Sequence, residues 1–117
     1  MNITGGDAMD VTFETINEAT VVVITGRIDS ATSKDLETKL IPIINSGTRK
    51  LVVDFAKVDF ISSAGLRILL IVAKKLKQAN GKMALCCLKD TIKEVFDISG
   101  FSSIIPIFPT RDEALLL

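Results

Sequence analysis

Apolar and polar positions recur along the chain with spacings that predict alternating strands and helices. From Val11 to Ile16 the two kinds of residue alternate, as in a half-buried strand, and Asn17-Glu18 predicts a turn into a β-branched second strand ended by Gly26. Capping residues from Asp29 to Ser33 indicate a helix start, and Thr110 begins a capping-box pattern. The predicted strands are 11–16, 20–25, 51–55, 82–88 and 104–108. The predicted helices run from the capping cluster at 29–33 to about Asn45, from 63 to about 78, over 91–99, and after Thr110.

This order, β-β-α-β-α-β-α-β-α, predicts an α/β fold in which one mixed sheet of about four to five strands is covered by about four helices. A length of 117 residues favours one domain. We expect residues 1–9 to form a flexible tail and residues 10–117 to form the domain. Asp90 is expected to cap the helix at 91–99. Pro42 lies inside the first helical pattern, where it removes a backbone hydrogen bond and predicts a kink or irregular turn.

Charge and hydropathy argue against nucleic-acid and membrane partners. The chain has 14 basic and 14 acidic residues, no evident basic stripe, and neither Trp nor Tyr to stack on bases. No apolar run reaches the roughly 20 residues that span a bilayer. The first ten residues are polar and do not resemble a signal peptide, so a cytoplasmic location is expected.

The absence of histidine limits the chemistry that this chain can perform. Without histidine there is no Ser-His-Asp triad and no histidine metal ligand. Cys86 and Cys87 are adjacent in an apolar run. Two thiols make a poor zinc site, and neighbouring cysteines rarely form a disulfide bond. We therefore expect both to be reduced core residues of a buried strand, and we expect no enzyme activity, no metal and no cofactor.

Two adjacent hydroxyl groups, Ser62 and Ser63, lie where the second helix is predicted to begin. Either serine could be the N-cap. A helix N-terminus also favours negative charge, so a phosphate on one of these hydroxyls would be tolerated there. A nucleophilic role needs a base that this chain lacks. Capping and phosphate acceptance both remain open from the residues alone.

The predicted helix over 63–78 places Ser63 and Arg67 on its polar side. Leu66, Leu70 and Ile71 fall in or beside that side, so we expect some of them to be partly exposed. Exposed apolar groups beside a serine suggest a docking surface for a protein partner. Alternatively, they are ordinary surface residues or are covered by a neighbouring helix.

Several short segments, taken together and in order, resemble a known family. The chain resembles the stand-alone STAS domains, the bacterial anti-sigma factor antagonists, over about residues 10 to 116. The segments that carry the resemblance are Thr25 to Asp29, Leu51 to Phe55, Phe60 to Leu66, Asn80 to Lys82 and Val95 to Phe101.

The resemblance implies a STAS fold and a partner-switching mechanism. An unphosphorylated antagonist binds an anti-sigma factor that is also a GHKL-type serine kinase, and this frees the sigma factor. The kinase phosphorylates the antagonist, and a PP2C-type phosphatase restores it. The family pattern places the acceptor at Ser63, with Ser62 a less favoured candidate. The resemblance also places the loop at Asp29 and Ser30 beside the acceptor. Together with the helical-wheel assignment, the predicted partner-binding residues are Asp29, Ser30, Ser62, Ala64, Gly65, Leu66, Arg67, Leu70 and Ile71. The alternative is a constitutive STAS scaffold or small subunit of a larger assembly, for example in lipid transport or signalling, without a phosphate cycle.

Two residues depart from the family pattern. Many members have Asp immediately before the acceptor, where this chain has Ser62, and often a small residue where it has Arg67. We expect Arg67 to pair with a phosphate on Ser63 or with an acidic patch on the partner. The exposed apolar residues of the helix predict a monomer or weak dimer.

Overall fold

Five strands and four α-helices follow one another in the predicted order. The structure, a computed structural model, describes residues 9–117. The strands are β1 (Asp10–Ile16), β2 (Ala19–Ile28), β3 (Lys50–Ile61), β4 (Lys82–Cys86) and β5 (Ile107–Phe108). The helices are α1 (Ser33–Asn45), α2 (Ser63–Gln78), α3 (Asp90–Ser99) and α4 (Arg111–Leu115), with a 3-10 turn at Phe101–Ser103. The predicted α/β fold class is confirmed.

The strands form one mixed sheet in the order β1-β2-β3-β4-β5. β1 pairs with β2 in antiparallel orientation, and the remaining neighbours are parallel. β2 and β3 extend beyond their predicted ends, because their pairing continues through a register shift at Gly26 (φ 103°) to the pair Ile28 and Ile61. A residue without a Cβ accommodates such a positive φ. The extension brings the end of β2 next to the start of α2.

The two faces of the sheet are covered unequally. Val22 and Val53 belong to the large core cluster, which also contains buried side chains of α1, α2 and α3. The neighbouring residues Val21 and Val52 point to the opposite face, where Ala114 of α4 covers them in a smaller cluster. Successive strand residues alternate between faces, so continuous apolar strands supply both clusters.

Several predicted element boundaries are wrong in detail. α3 begins at Asp90 itself, and its N-cap, Lys89, makes no side-chain capping bond. The last strand is only Ile107–Phe108, because residues 101–103 form a 3-10 turn before it. α1 runs without a break through Pro42. Pro42 has no N–H to donate to the carbonyl oxygen of Thr38. Thr38 and Pro42 are both exposed, so water can reach that oxygen.

The sequence predicts a flexible tail over residues 1–9. Residues 1–8 lie outside the described residues, and the structure describes only Met9 of this tail. Met9 is only 7% exposed and belongs to the large core cluster, so the packed part of the chain begins no later than this residue.

Candidate functional site

The structure assigns different roles to the two adjacent serines. Ser62 is the N-cap of α2: its backbone is extended, and its Oγ accepts a hydrogen bond from the Gly65 N–H at 3.2 Å. Ser63 is the first residue of the helix, and its side chain is exposed. Within residues 9–117 the Ser63 hydroxyl forms no hydrogen bond. Among residues 9–117 the fold therefore uses the Ser62 hydroxyl, whereas that of Ser63 has no hydrogen-bond partner.

This assignment predicts unequal stability costs for the two serines. Ser62→Ala should lower the free energy of unfolding by about 1 kcal/mol, because the Gly65 N–H loses its acceptor. Ser63→Ala, the matched control, should change stability by less than about 0.5 kcal/mol. Urea denaturation followed by circular dichroism measures both. Equal costs for the two variants would contradict the assignment of the cap to Ser62.

A rigid loop lies beside the start of α2. The Ser62 N–H donates to the Ile28 carbonyl oxygen at 2.8 Å, which ties the two segments together. The Asp29 carboxylate then accepts the N–H groups of Ala31 and Thr32 at 2.9 and 3.0 Å. The N–H of Thr32 is the main cause that lowers the pKa of Asp29 below its ordinary value, so this carboxylate is charged at neutral pH. The loop is therefore held in one conformation next to Ser63.

Gly65 allows the helix to sit directly on the end of β2. A Cβ at this position would lie 2.6 Å from Cγ2 of Ile28 and 2.9 Å from Cγ1 of Ile61. Both distances are shorter than real Cβ contacts allow. A glycine two residues after Ser63 is thus a requirement of the close packing that holds the loop and the helix start together.

The apolar residues beside Ser63 are exposed to different extents. Leu66 is only 7% exposed and belongs to the large core cluster, so of the three apolar residues only the other two match the expectation of partial exposure. α1 packs against α2 and extends the buried side of the helix beyond the face predicted from the helical wheel. Leu70 and Ile71 are partly exposed, as expected.

Two arginines lie on the segments that meet at the start of α2. Arg67 is exposed one helical turn after Ser63 and, among the described residues, has no salt-bridge partner. The Arg27 guanidinium stacks 4.3 Å from the centre of the Phe60 ring and also lies 4.0 Å from the Asp29 carboxylate. Sequence reasoning missed Arg27 and Phe60 as site residues. Their pairing across β2 and β3 was hidden because the predicted β2 ends too early.

A cluster of possible metal ligands, separate from the two serines, lies on the α4 side of the sheet. Asp54, Cys86 and Cys87 bring one ligand atom each to within 4.8 Å of one another. Arg111 donates to the Asp54 carboxylate at 2.9 Å, and this cation opposes the binding of a metal ion. Burial raises the pKa of Cys86, which disfavours the thiolate that a metal needs. The arrangement is better explained as the ion pair that fastens α4.

Of the two cysteines, only Cys86 is the buried strand residue that the sequence predicts. β4 ends at Cys86, and Cys87 is half-buried with a left-handed backbone (φ 64°). The prediction is therefore wrong for Cys87. Both thiols are free.

A family model and a curated relative each match most of this chain. A family model described as "STAS domain" matches residues 10–114. A putative anti-sigma factor antagonist, BtrV of Bordetella bronchiseptica, is 42% identical over 106 residues, which cover 91% of each protein. None of the helices within residues 9–117 has both the length and the apolar character needed to cross a membrane.

Solved structures share the fold over nearly the whole chain. The crystal structure of an anti-sigma factor antagonist from Mycobacterium paratuberculosis superposes with a TM-score of 0.86 at 27% identity, covering 94% of this chain and 93% of that one. The anti-sigma factor antagonist SpoIIAA in its unphosphorylated form gives a TM-score of 0.78 at 21% identity, with 91% and 93% coverage. At that identity the second likeness concerns the fold alone.

Proposed function

The chain belongs to the STAS domain family, and we propose that it is an anti-sigma factor antagonist that acts by partner switching. In its unphosphorylated form it binds an anti-sigma factor and thereby releases a sigma factor. Phosphorylation of Ser63 ends this binding. The observation that carries the proposal is the exposed hydroxyl of Ser63 at the first position of α2, which forms no hydrogen bond with any group in the described part of the chain, residues 9–117.

A phosphate at Ser63 would alter the surface without harming the fold. It adds a charge of about −1.5 to −2 and three acceptor oxygens. The N-terminus of α2 favours such a charge, and the Ser62 cap does not depend on the Ser63 hydroxyl. In a protein interface the same charge must be desolvated and meets the partner's own charges. The modification therefore acts on binding rather than on folding.

The proposed binding surface combines the loop at Asp29 and Ser30 with the outward side of α2. Leu70 and Ile71 supply partly exposed apolar groups, and Arg67 supplies a cation that pairs with an acidic group of the partner or with the phosphate. Ser62 and Ala64 lie at its centre and are half-buried. Gly65 and Leu66 are buried and shape this surface from beneath instead of touching the partner.

The catalytic parts of the cycle belong to the partners. We assign phosphorylation to an anti-sigma factor that is a GHKL-type serine kinase and uses ATP, and dephosphorylation to a PP2C-type phosphatase. The proposed role asks only for an accessible hydroxyl and a docking surface from this chain.

The test is release of sigma factor from a purified complex with its anti-sigma factor. The wild-type chain should displace the sigma factor on gel filtration. Leu70→Glu should weaken binding to the anti-sigma factor by about tenfold or more, because it places a charge in the proposed interface. Ile98→Glu is the matched control: Ile98 is 80% exposed on α3, and its replacement should leave affinity unchanged. Failure of the wild-type chain to bind would contradict the proposal.

A further inference from the structure

A net charge of zero conceals an uneven distribution of charge in the fold. Five cations, Arg49, Lys50, Lys75, Lys77 and Lys82, meet where β3 and β4 begin and α2 ends, and we call this surface the basic end. Lys50 and Lys82 are paired across the two strands, and the Lys82 N–H donates to the Arg49 carbonyl oxygen at 2.8 Å. Arg49 and Lys75 line one hollow of about 330 Å³. These cations therefore form one continuous surface.

The basic end keeps a net positive charge. Within residues 9–117 the salt bridges involve other cations, and none involves these five. Lys50 donates to the carbonyl oxygen of Leu115 and keeps its charge. Glu18 shares a hollow with Arg49 and Lys50. This acid, the C-termini of α1 and α2, each worth about half a negative charge, and the α-carboxylate of Leu117 beside Lys77 and Lys82 together offset about three of the five positive charges.

Exposed aliphatic side chains lie between the lysines. Ile104 (56% exposed) and Leu117 (36% exposed) line a hollow of about 280 Å³ together with Lys77 and Lys82. Leu116, next to Leu117, is 85% exposed. Ile104 and Leu117 therefore place exposed apolar groups in the same hollow as two of the lysines.

We propose that the basic end docks on the surface of an anionic lipid bilayer. Clustered lysines beside exposed aliphatic groups match anionic headgroups and the acyl boundary beneath them. Four of the five cations are lysines, a residue that protein interfaces disfavour relative to arginine. The three hollows at this end are lined by no aromatic side chain, so they offer no ring on which the bases of a single-stranded nucleic acid could stack. Lipid is thus the occupant that these side chains fit best.

This contact leaves Ser63 accessible. α2 has 16 residues and spans about 24 Å, with Ser63 at one end and the basic end at the other. A chain docked through Lys77 and Lys82 would present its Ser63 side away from the membrane. The two surfaces are separate, so the lipid contact does not depend on the proposed role of Ser63.

Vesicle sedimentation tests the proposal with the full chain. Binding to phosphatidylcholine vesicles should rise with added phosphatidylglycerol and fall with added salt. The double variant Lys77→Glu/Lys82→Glu should lose at least about tenfold in partitioning. The double variant Lys34→Glu/Lys57→Glu has the same net charge and also replaces exposed lysines that form no salt bridge within residues 9–117. This control should bind within about twofold of the wild-type chain, and thermal melts confirm that both variants fold.

A separate variant tests the apolar contribution. Ile104→Ser/Leu116→Ser should reduce vesicle binding but leave binding to soluble poly-glutamate unchanged, because only the bilayer offers an apolar layer. Absence of binding that depends on phosphatidylglycerol would overturn the proposal. So would equal losses in the two lysine double variants. Binding to poly-glutamate without binding to vesicles would instead identify an acidic protein as the occupant and reject lipid.

Discussion

Incorporation of phosphate is expected to disappear when Ser63 is replaced by alanine. With the cognate kinase and ATP, the wild-type chain should gain the mass of one phosphate, and Ser63→Ala should gain none. The reason is access: Ser63 is exposed, whereas Ser62 is half-buried and its Oγ accepts the Gly65 N–H. Intact-mass spectrometry measures the result. Ser62→Ala is the matched control and should still accept one phosphate.

The charge of the phosphate should be sufficient to end binding. Ser63→Asp is expected to weaken affinity for the anti-sigma factor at least about tenfold, because a like charge or an unpaired carboxylate in an interface costs several kcal/mol. Its melting temperature should stay close to that of the wild type, since an acidic residue suits the first turn of α2. Ser103→Asp adds the same charge on an exposed residue of the 3-10 turn and should leave affinity unchanged. Full phosphorylation of Ser63→Ala would place the acceptor elsewhere, and unchanged affinity of Ser63→Asp would reject the charge as the switch.

Features with a strong local pattern could be predicted from the sequence. α2 was predicted at 63–78 and has those bounds, because its apolar residues recur with helical spacing and a capping serine precedes it. The order of strands and helices followed in the same way. The capping role of Thr110 is also confirmed, since its Oγ1 accepts the Glu113 N–H at 3.2 Å.

Features set by contacts between distant segments could not be predicted. The extension of β2 to Ile28 depends on pairing with β3, and the residues of β2 alone do not indicate that pairing. For the same reason the stacking of Arg27 on Phe60, two residues before Ser62, was missed. The burial of Leu66 depends on the core around α2, and the gathering of cations such as Lys50 and Lys82 depends on strand register. The total of 14 basic and 14 acidic residues gives no information on which charges lie together in the fold.

Gly65→Ala is expected to be the most disruptive single-methyl change near the site. The added Cβ would lie 2.6 Å from Cγ2 of Ile28, 2.9 Å from Cγ1 of Ile61 and 3.2 Å from the Ile28 carbonyl oxygen. That carbonyl accepts the Ser62 N–H, so the helix start cannot move without loosening the bond. Overpacking of this kind costs about 1–3 kcal/mol, which exceeds the gain of up to about 1 kcal/mol from placing alanine in a helix.

A double-mutant cycle in urea denaturation tests the cause of that loss. Ile28→Ala alone should cost about 2–5 kcal/mol, because it removes a fully buried side chain. If the clash with Ile28 explains the effect of Gly65→Ala, the double variant should be more stable than the sum of the two single costs predicts. Additive costs would show that the methyl acts elsewhere. Gly65→Ala should also weaken binding to the anti-sigma factor, because a displaced helix start moves Ser63 away from the Asp29 loop on which the proposed surface is built.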